Sequence, residues 1–327
     1  GATFVFGPLQ PPSFFVFAFT VLPVIIFIAS LFGILYYLGI MQYIVAGAAK
    51  AMGRFLKISG AESVSVAASI MMGQTEAPLT IRPFLSTLTR SELMVVMTAG
   101  MAHVSGSIMV AYVQIAKVDI VHLLTAVIMT APGAVMMAKL IIPETETPET
   151  QQGFELRIEN KDANILDAAA RGAIDGGQLA FNVAVMLISF ISLVALVNGI
   201  LSALNPSWSL EAGLAMLFRP LALIMGVPFE DAAIIGGLLG KRMVINEFVA
   251  FADLGKIPLE QLSAHGRLIA TFALCGFANF SSIAIQIGGI GSLVPERRTD
   301  LAKIGLRAMI AGTLANFISA CIAGVLT

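Results

Sequence analysis

Two polar interruptions break otherwise apolar stretches of the sequence, and each of them carries a carboxylate. The first is residues 73–78, with Gln74, Thr75 and Glu76 at its centre, and the second is residues 245–248, with Glu247, about 170 residues later. An ionisable side chain at membrane depth is costly, so it usually faces a partner, a cavity or a solute. Carboxylates accept from two donors at once, while an amide both donates and accepts. This chemistry suits a cation, a cationic solute, or a neutral solute rich in hydroxyl and N–H groups.

Neutral polar side chains and an aromatic ring occur in a third stretch, near residue 280. Asn279 and Ser282 are three positions apart, so they share one face of a helix, and Phe277 precedes them. An aromatic side chain at this place could stack on a ring of the solute. The combination fits a neutral, polyhydroxylated, aromatic solute better than an anion. The sequence has no glycine-rich phosphate cradle, so nucleotides are not expected.

The composition sets the class of protein. The chain is 57% hydrophobic and only 12% charged, and its mean hydropathy is +0.91. Continuous apolar runs of about 20 residues recur, which is the length that spans a bilayer as a helix. These values predict an all-α polytopic membrane protein. The net charge of −1 argues against a nucleic-acid partner, and the two cysteines, Cys275 and Cys321, are expected to be packing thiols.

In the first half of the chain, we predict five elements that position the first carboxylate. A spanning helix over residues 14–40, kinked at Pro23, is followed by an amphipathic interfacial helix over residues 41–58. Two half-helices within residues 62–88 form a re-entrant hairpin with residues 74–76 at its tip. Spanning helices are then predicted at residues 92–114, interrupted by polar residues near its centre, and at residues 120–142.

The second half repeats this order after a polar loop. An amphipathic lead-in over residues 163–178 precedes a long apolar helix over residues 181–204. An interfacial helix is predicted at residues 210–227, and a second hairpin at residues 229–254, with Asn246 and Glu247 at its turn. The last two spanning helices are expected at residues 267–290, with a polar break, and 304–326.

Three full crossings separate the two hairpins, so the second unit is inverted relative to the first. The predicted fold is therefore a pair of inverted repeats, each with an interfacial helix, a re-entrant hairpin and a broken transmembrane helix, as in many secondary transporters. The expected domains are 1–40 (first scaffold helix), 41–142 (repeat 1), 143–205 (cytoplasmic loop and long scaffold helix) and 206–327 (repeat 2). The distribution of Lys and Arg favours a cytoplasmic first interfacial helix.

Three long motifs, at residues 73–79, 244–250 and 275–282, also carry a family resemblance. The chain resembles the transport core of the concentrative nucleoside transporters over its whole length, and we expect that the first helices of that family are missing from it. The resemblance implies cation-coupled nucleoside import across the inner (plasma) membrane by elevator-type alternating access. It also implies a homotrimer of scaffold and mobile domains. No cofactor is expected beyond a coupling ion, Na+ or H+.

The resemblance assigns roles to particular residues. The positions that would contact the nucleobase are Gln74, Thr75, Glu76 and Ile108. The positions that would bind or line the ribose site are Glu247, Asn279, Ser282 and Phe277.

The sodium site of the family is altered in this sequence. Sodium-coupled members have Asn where this chain has Ser69, and Ser where it has His103. Backbone carbonyls at positions matching Met72 and Val104 complete that site. Histidine is titratable and is a poor ligand for a hard cation that prefers oxygen. Coupling to sodium and coupling to a proton therefore both stay open.

Other functions compete with nucleoside import. The chain could transport another small polar solute such as a nucleobase, or it could be a passive channel. A remote alternative is an intramembrane hydrolase that uses Ser105 or Ser107 with His103. The basic residues inside the hairpins, Lys241 and Arg242 among them, are expected to neutralise nearby carboxylates or to snorkel.

Overall fold

The computed structural model describes residues 5, 17–151 and 162–327, and every regular element within them is helical. The predicted start of the first helix at residue 14 and half of the polar loop, residues 152–161, lie outside the described residues. In the described part, three helical stretches are long and apolar enough to cross a membrane: Arg90–Ala116, Ile120–Ile141 and Pro295–Leu326. A bent pair of helices passes the same test together.

The bent pair consists of Leu22–Tyr37 and Ile40–Leu56, whose axes differ by 78°. The turn lies at Gly39, which has a φ of 78°, a left-handed conformation that glycine adopts without strain. The helix predicted over residues 14–40 is divided near Pro23, as expected: Phe17–Thr20 is separated from Leu22–Tyr37 by a turn at Val21. Pro23 lies in the first turn of Leu22–Tyr37, where its missing N–H removes no helical hydrogen bond. In Ile40–Leu56, the buried residues recur every four positions, which confirms its amphipathic character.

A single helix of 40 residues, Ile165–Leu204, replaces the two predicted segments at 163–178 and 181–204. Glycines interrupt the apolar pattern here without ending the helix. A Cβ atom on Gly172 would lie 2.6 Å from the carbonyl oxygen of Ala29, and one on Gly176 would lie 2.6 Å from the Cβ of Ala29. These glycines therefore allow close packing against Leu22–Tyr37, where Ser30 Oγ also donates to the Ala169 carbonyl at 2.9 Å.

Hairpin 1 begins with the short helix Gly60–Ser69, whose N-terminus is closed by a capping box between Ser59 and Glu62. The tip follows, and the returning arm is a 3₁₀ helix, Ala77–Phe84. The predicted second half-helix over residues 78–88 was wrong in type and length. Pro83 cannot donate a backbone hydrogen bond and disfavours helical geometry in the residue before it, which prevents a regular α-helix.

Hairpin 2 consists of Ala232–Val244 and Glu247–Lys256, as the sequence predicted. Lys241 Nζ lies 2.6 Å from Asp253 Oδ2 on the other arm and 3.5 Å from Glu211 Oε1 on the helix Leu210–Ile224. The Asn246 side chain accepts from the Val249 N–H at 2.9 Å and caps the second arm. The predicted neutralising role of Lys241 and the predicted cap are confirmed.

Each hairpin is followed by a broken helix and then by a continuous one. The first broken helix is Arg90–Ala102 and Gly106–Ala116, followed by Ile120–Ile141. The second broken helix is Ala264–Leu274 and Phe280–Leu293, followed by Arg298–Leu326 after one 3₁₀ turn. Both predicted interruptions are confirmed, and both halves of the chain share one order of elements.

The base of each hairpin is closed by the same kind of contact. Ser59 Oγ donates to Glu92 Oε1 at 2.6 Å, and Ser263 Oγ donates to Asp231 Oδ2 at 2.5 Å. Each bond joins the start of a hairpin to the start of the broken helix that follows it. The serine donor is on the hairpin in the first half and on the broken helix in the second half, but the bond links the same two elements in both halves. The base of each hairpin is therefore fixed to the broken helix that follows it.

Candidate functional site

The interruptions of the two broken helices lie directly against each other. The Phe277 N–H donates to the His103 carbonyl at 3.3 Å. From the helix Arg298–Leu326, Asn316 Nδ2 donates to the carbonyls of Ala102 and Cys275 at 2.8 and 2.9 Å. Unwound backbone inside a membrane protein has free polar groups that need partners. One fully buried amide therefore serves both interruptions.

Arg242 links this crossing to hairpin 2. Its side chain is only 1% exposed, and its guanidinium donates to the Gly276 carbonyl at 3.2 Å and to Asn316 Oδ1. In the described part of the chain, no carboxylate lies within ion-pair distance of Arg242. Arg242 is too buried to snorkel, but its charge acts on the Glu247 carboxylate, which agrees with the neutralising role expected of it. Its hydrogen bonds go to the Gly276 carbonyl, which the helix break exposes, and to Asn316.

Glu247 is the first residue of the second arm of hairpin 2, and it is 5% exposed. Its Oε1 accepts from the hydroxyl of Tyr112 at 2.9 Å, and its Oε2 accepts from Asn279 Nδ2 at 3.1 Å. Asn279 caps the helix Phe280–Leu293, because its Oδ1 accepts from the Ser282 N–H at 2.9 Å. The cap fixes the Asn279 amide with its NH₂ group towards Glu247.

The tip of hairpin 1 reaches the same helix end. Gln74 Nε2 donates to Ser282 Oγ at 3.2 Å, although 208 positions separate the two residues. Within the described residues, Gln74 Oε1 has no hydrogen-bond partner although it is buried, so it is an available acceptor. The neighbouring Thr75 packs on Gly289, where a Cβ atom would be within 3.2 Å of the Thr75 Cβ. The structure thus joins four predicted residues, Gln74, Ser282, Asn279 and Glu247, in one hydrogen-bonded series.

The remaining predicted substrate residues differ in their surroundings. Ile108 is 3% exposed and belongs to a buried apolar cluster against which Phe277 packs. Glu76 is exposed, and its Oε2 accepts from the Gly73 N–H of its own tip at 3.0 Å. In the described part of the chain, no hydrogen bond joins Glu76 to the second repeat. Glu76 precedes the returning arm, as predicted, but its carboxylate does not cap that arm.

The two altered cation-site residues are in contact. Ser69 Oγ lies 2.9 Å from His103 Nδ1 and donates to the Val66 carbonyl at 2.7 Å. His103 Nδ1 also lies 2.7 Å from the Ala99 carbonyl. Because a carbonyl only accepts, Nδ1 carries the hydrogen. At the sodium-site position that the resemblance implies for His103, a protonated Nδ1 offers no lone pair, so its chemistry does not fit a sodium ion there.

The other two cation-site positions belong to the same region. Val104 is fully buried in the break of the first helix, and Met72 lies in the tip of hairpin 1. The tip is held to the break by the Gly106 N–H, which donates to the Met71 carbonyl at 3.1 Å. The structure thus brings Ser69 and His103 into direct contact. Met72 and Val104 lie in the tip and in the helix break that the bond between Gly106 and Met71 joins.

Neither of the two serines of the hydrolase alternative pairs with His103. Ser105 Oγ and Ser107 Oγ lie 3.2 Å from each other. The described hydrogen bonds of His103 Nδ1 go to Ser69 and Ala99, and neither goes to Ser105 or Ser107. A nucleophile must contact its base for acyl transfer. The geometry that the hydrolase alternative requires is therefore not formed.

Three contributors to the site are missing from the sequence prediction. They are Tyr112, Asn316 and Gln286, whose Nε2 donates to the Met97 carbonyl at 3.1 Å. Asn316 and Gln286 are each the single amide side chain of an apolar helix, and this pattern indicates a buried hydrogen-bond partner on a neighbouring helix. Tyr112 carries no comparable signal, since tyrosine is common in the apolar part of helices.

Two family models together match most of the chain. The model described as "Na+ dependent nucleoside transporter C-terminus" matches residues 122–324, and the model described as "Nucleoside recognition" matches residues 18–118. The chain belongs to the sodium-dependent nucleoside transporter family. The predicted family and the prediction that the protein is a transporter and not an enzyme are confirmed.

Relatives from this transporter family align along the whole chain. An uncharacterized transporter of Haemophilus influenzae is 44% identical over 339 residues, covering 99% of this chain and 81% of that protein. The sodium/nucleoside cotransporter 1 of Rattus norvegicus is 40% identical over 347 residues, covering 100% of this chain and 53% of that protein. The chain thus spans about half of the length of this mammalian relative.

Solved structures from the family confirm the fold. The structure of CNTnw in an inward-facing substrate-bound state is 43% identical and has a TM-score of 0.95, covering 100% of this chain and 82% of that one. A CNTnw double variant in an outward-facing state has a TM-score of 0.93 and covers 100% of this chain and 81% of that one. The predicted all-α membrane fold is therefore correct.

Proposed function

We propose that the protein imports nucleosides across the inner (plasma) membrane, driven by a coupled cation. The observation that carries this proposal is the series of Gln74, Ser282, Asn279 and Glu247. It places an available amide acceptor and a buried carboxylate at the two ends of one helix cap. A base with N–H and carbonyl edges and a sugar with hydroxyl groups match these two ends. The relatives named for nucleoside cotransport support the same substrate class.

The sugar is assigned to the carboxylate end. Tyr112 donates to Oε1 and Asn279 donates to Oε2, and the backbone N–H of Glu247 also donates to this carboxylate. A carboxylate has about four lone-pair sites, so it can still accept from the solute. A vicinal diol has two donors at a spacing that suits the two oxygens of one carboxylate. Asn279 and Ser282 add neutral polar groups, and Phe277 lines the pocket. Ribose would satisfy this site better than deoxyribose.

The base is assigned to the tip of hairpin 1. Gln74, Thr75 and Glu76 supply an amide, a hydroxyl and a carboxylate, and Ile108 supplies an apolar wall. Among the described residues, the hydrogen bond of the exposed Glu76 carboxylate comes from Gly73 of its own tip, so the carboxylate can turn to a base N–H when the solute enters. These groups do not by themselves distinguish purines from pyrimidines.

The movement we propose is an elevator-type exchange within a homotrimer. Leu22–Tyr37 and Ile165–Leu204 pack through glycines and would form the scaffold with the rest of 1–40 and 143–205. The two hairpins and the broken helices of the repeats at 41–142 and 206–327 would carry the solute as one body, because Asn316 and Phe277 of the second repeat donate to the Ala102 and His103 carbonyls of the first. CNTnw has been seen in inward-facing and outward-facing states, which supports two accessible positions.

Uptake of radiolabelled uridine into proteoliposomes tests the proposed substrate class. We expect accumulation against a gradient, which a passive channel cannot produce. Unlabelled ribonucleosides should compete with uridine, whereas free nucleobases should compete weakly. Competition by free bases alone would instead identify a nucleobase transporter, and absence of uptake under every ion gradient would refute the proposal.

For the coupling ion, we propose a proton in preference to sodium, because His103, which contacts Ser69, has a protonated Nδ1 and offers no lone pair there at a position implied for sodium. Uridine uptake driven by a proton gradient alone should exceed uptake driven by a sodium gradient alone. The reverse result would show that sodium binds in spite of this pair. It would leave the assignment of the substrate site intact.

The double variant His103→Ser with Ser69→Asn should gain sodium dependence. It restores oxygen donors at both positions, and changes in ligands and their supporting partners alter metal affinity by about 10–100-fold. We expect the half-saturating sodium concentration for uridine uptake to fall by about tenfold or more. His122→Ser, which changes an exposed histidine, is the matched control. Unchanged sodium dependence in the double variant would count against this explanation of the altered site.

A further inference from the structure

Tyr112 is a fully buried tyrosine whose hydroxyl has one specific partner. It lies in the second arm of the first broken helix, with 0% exposure, and its hydroxyl donates to Glu247 Oε1 at 2.9 Å. A buried hydroxyl is unfavourable unless it makes a hydrogen bond. The bond connects the first repeat to the carboxylate of the second. The family assignment alone does not give this residue a role.

The ring of Tyr112 is held by the same arm that carries Glu247. It stacks on Phe251 with ring centroids 4.3 Å apart and planes 18° from parallel, and it meets Phe248 edge-on at 5.7 Å. Phe251 is one helical turn after Glu247, so the ring and the carboxylate lie along one face of the arm. Stacked aromatic pairs are favourable beyond the area they bury. The stack therefore fixes the Tyr112 hydroxyl relative to Glu247.

The two side-chain donors to Glu247 are on different oxygens. Tyr112 donates to Oε1 and Asn279 donates to Oε2, so together they fix the plane of the carboxylate. Arg242 donates to the Gly276 carbonyl and to Asn316, and it is not within ion-pair distance of Glu247. Among the described residues, Tyr112 and Asn279 are thus the side chains that donate to the carboxylate, in addition to the backbone N–H of Glu247 itself and the nearby charge of Arg242.

We propose that Tyr112 is a positioning residue that makes the site selective for a cis-diol. It holds Glu247 so that Oε1 and Oε2 accept from both ribose hydroxyls at once. Tyr112 acts through Glu247 and does not contact the solute. This inference rests on the proposed function and deepens it, because it gives the preference for ribonucleosides over deoxynucleosides a structural origin.

The variant Tyr112→Phe removes the hydroxyl and keeps the stacked ring. Glu247 then has a side-chain donor on one oxygen only and can rotate about its terminal bond. We expect the KM for uridine to rise by about tenfold, which is the typical effect of one hydrogen bond to a charged group. The KM values for 2′-deoxyuridine and 3′-deoxyuridine should change less, since each makes a single hydroxyl contact. The ratio of deoxynucleoside to nucleoside KM should fall towards one, with the maximal rate nearly unchanged.

Uptake of the three nucleosides into proteoliposomes, measured over a range of concentrations, tests this inference. Tyr43→Phe is the matched control, because Tyr43 is 81% exposed and is not among the side chains that donate to Glu247 in the described part of the chain. Phe251→Leu keeps the hydroxyl but loosens the stack, so it should lower the same ratio by a smaller factor. This second variant gives an answer even if Tyr112→Phe does not fold.

The outcomes separate the inference from the proposed function. If Tyr112→Phe, or Phe251→Leu in its place, lowers the maximal rate for all three nucleosides and leaves the KM ratio unchanged, Tyr112 has a structural role only and the inference is overturned. An unchanged ratio with unchanged rates also overturns it. If the parent protein transports no nucleoside, the proposed function fails first, whatever the variants do.

Discussion

Uridine uptake is expected to fall by about a hundredfold or more when Glu247 is replaced by Gln. The carboxylate is buried, and it accepts from Tyr112 and Asn279 while it can still accept from the solute. Hydrogen bonds to a charged group contribute about 1.5–3 kcal/mol each, and a hundredfold change corresponds to about 2.7 kcal/mol. The Gln side chain would also carry an NH₂ group in place of one carboxylate oxygen. This NH₂ group would face Tyr112 or Asn279, both of which donate to Glu247 in the parent protein.

The matched control for this variant is Glu230→Gln, which removes an exposed carboxylate just before the first arm of hairpin 2. The control should transport uridine like the parent. Thermal unfolding of the detergent-solubilised proteins establishes that both variants fold. If Glu247→Gln transports uridine as well as the parent does, the assignment of the ribose site to Glu247 is wrong.

The sequence predicted the order of the elements because polar residues mark where apolar helices stop. Asn246 and Asn279 cap the helices Glu247–Lys256 and Phe280–Leu293, which begin at the predicted turn and the predicted polar break. The structure also has capping boxes at the starts of hairpin 1 and of the first broken helix. Local signals of this kind need no knowledge of tertiary contacts.

The errors arose where tertiary packing outweighs local preference. The change from an amphipathic to an apolar pattern predicts two segments at 163–178 and 181–204, but the structure has one helix, Ile165–Leu204, whose glycines pack closely against Leu22–Tyr37. Conversely, the returning arm of hairpin 1 was predicted as a regular half-helix, and Pro83 gives it 3₁₀ geometry. A pattern of apolar residues alone does not distinguish these cases.

The sequence predicts several residues of the candidate site, but it does not predict the hydrogen bonds that join residues far apart in the chain. Gln74, Glu247, Asn279 and Ser282 were singled out by their polarity, and the structure joins them. Tyr112 was missed because its bond to Glu247 spans 135 positions, and no local pattern encodes such a pair. The pairing of Asn316 with both helix breaks has the same origin.

Asn316→Ala should destabilise the protein more than any surface substitution. It leaves the carbonyls of Ala102 and Cys275 without their donor and takes an acceptor from Arg242, all in a buried crossing. A buried polar group that loses its partner costs about 1–3 kcal/mol, so the free energy of unfolding should fall by about 3 kcal/mol or more. The measurement is the apparent melting temperature of the detergent-solubilised protein, with the exposed Asn182→Ala as the control.

Asn316→Asp distinguishes the two things that Asn316 does. A carboxylate would accept from Arg242 at least as well as the amide does, but it cannot donate to the carbonyls of Ala102 and Cys275. If those carbonyls matter most, Asn316→Asp should be destabilised like Asn316→Ala, because two carbonyl oxygens would face a third oxygen. A melting temperature equal to that of the parent would mean that holding Arg242 is the main role. The crossing of the helix breaks would then depend on Arg242 and on backbone contacts such as that between Phe277 and His103.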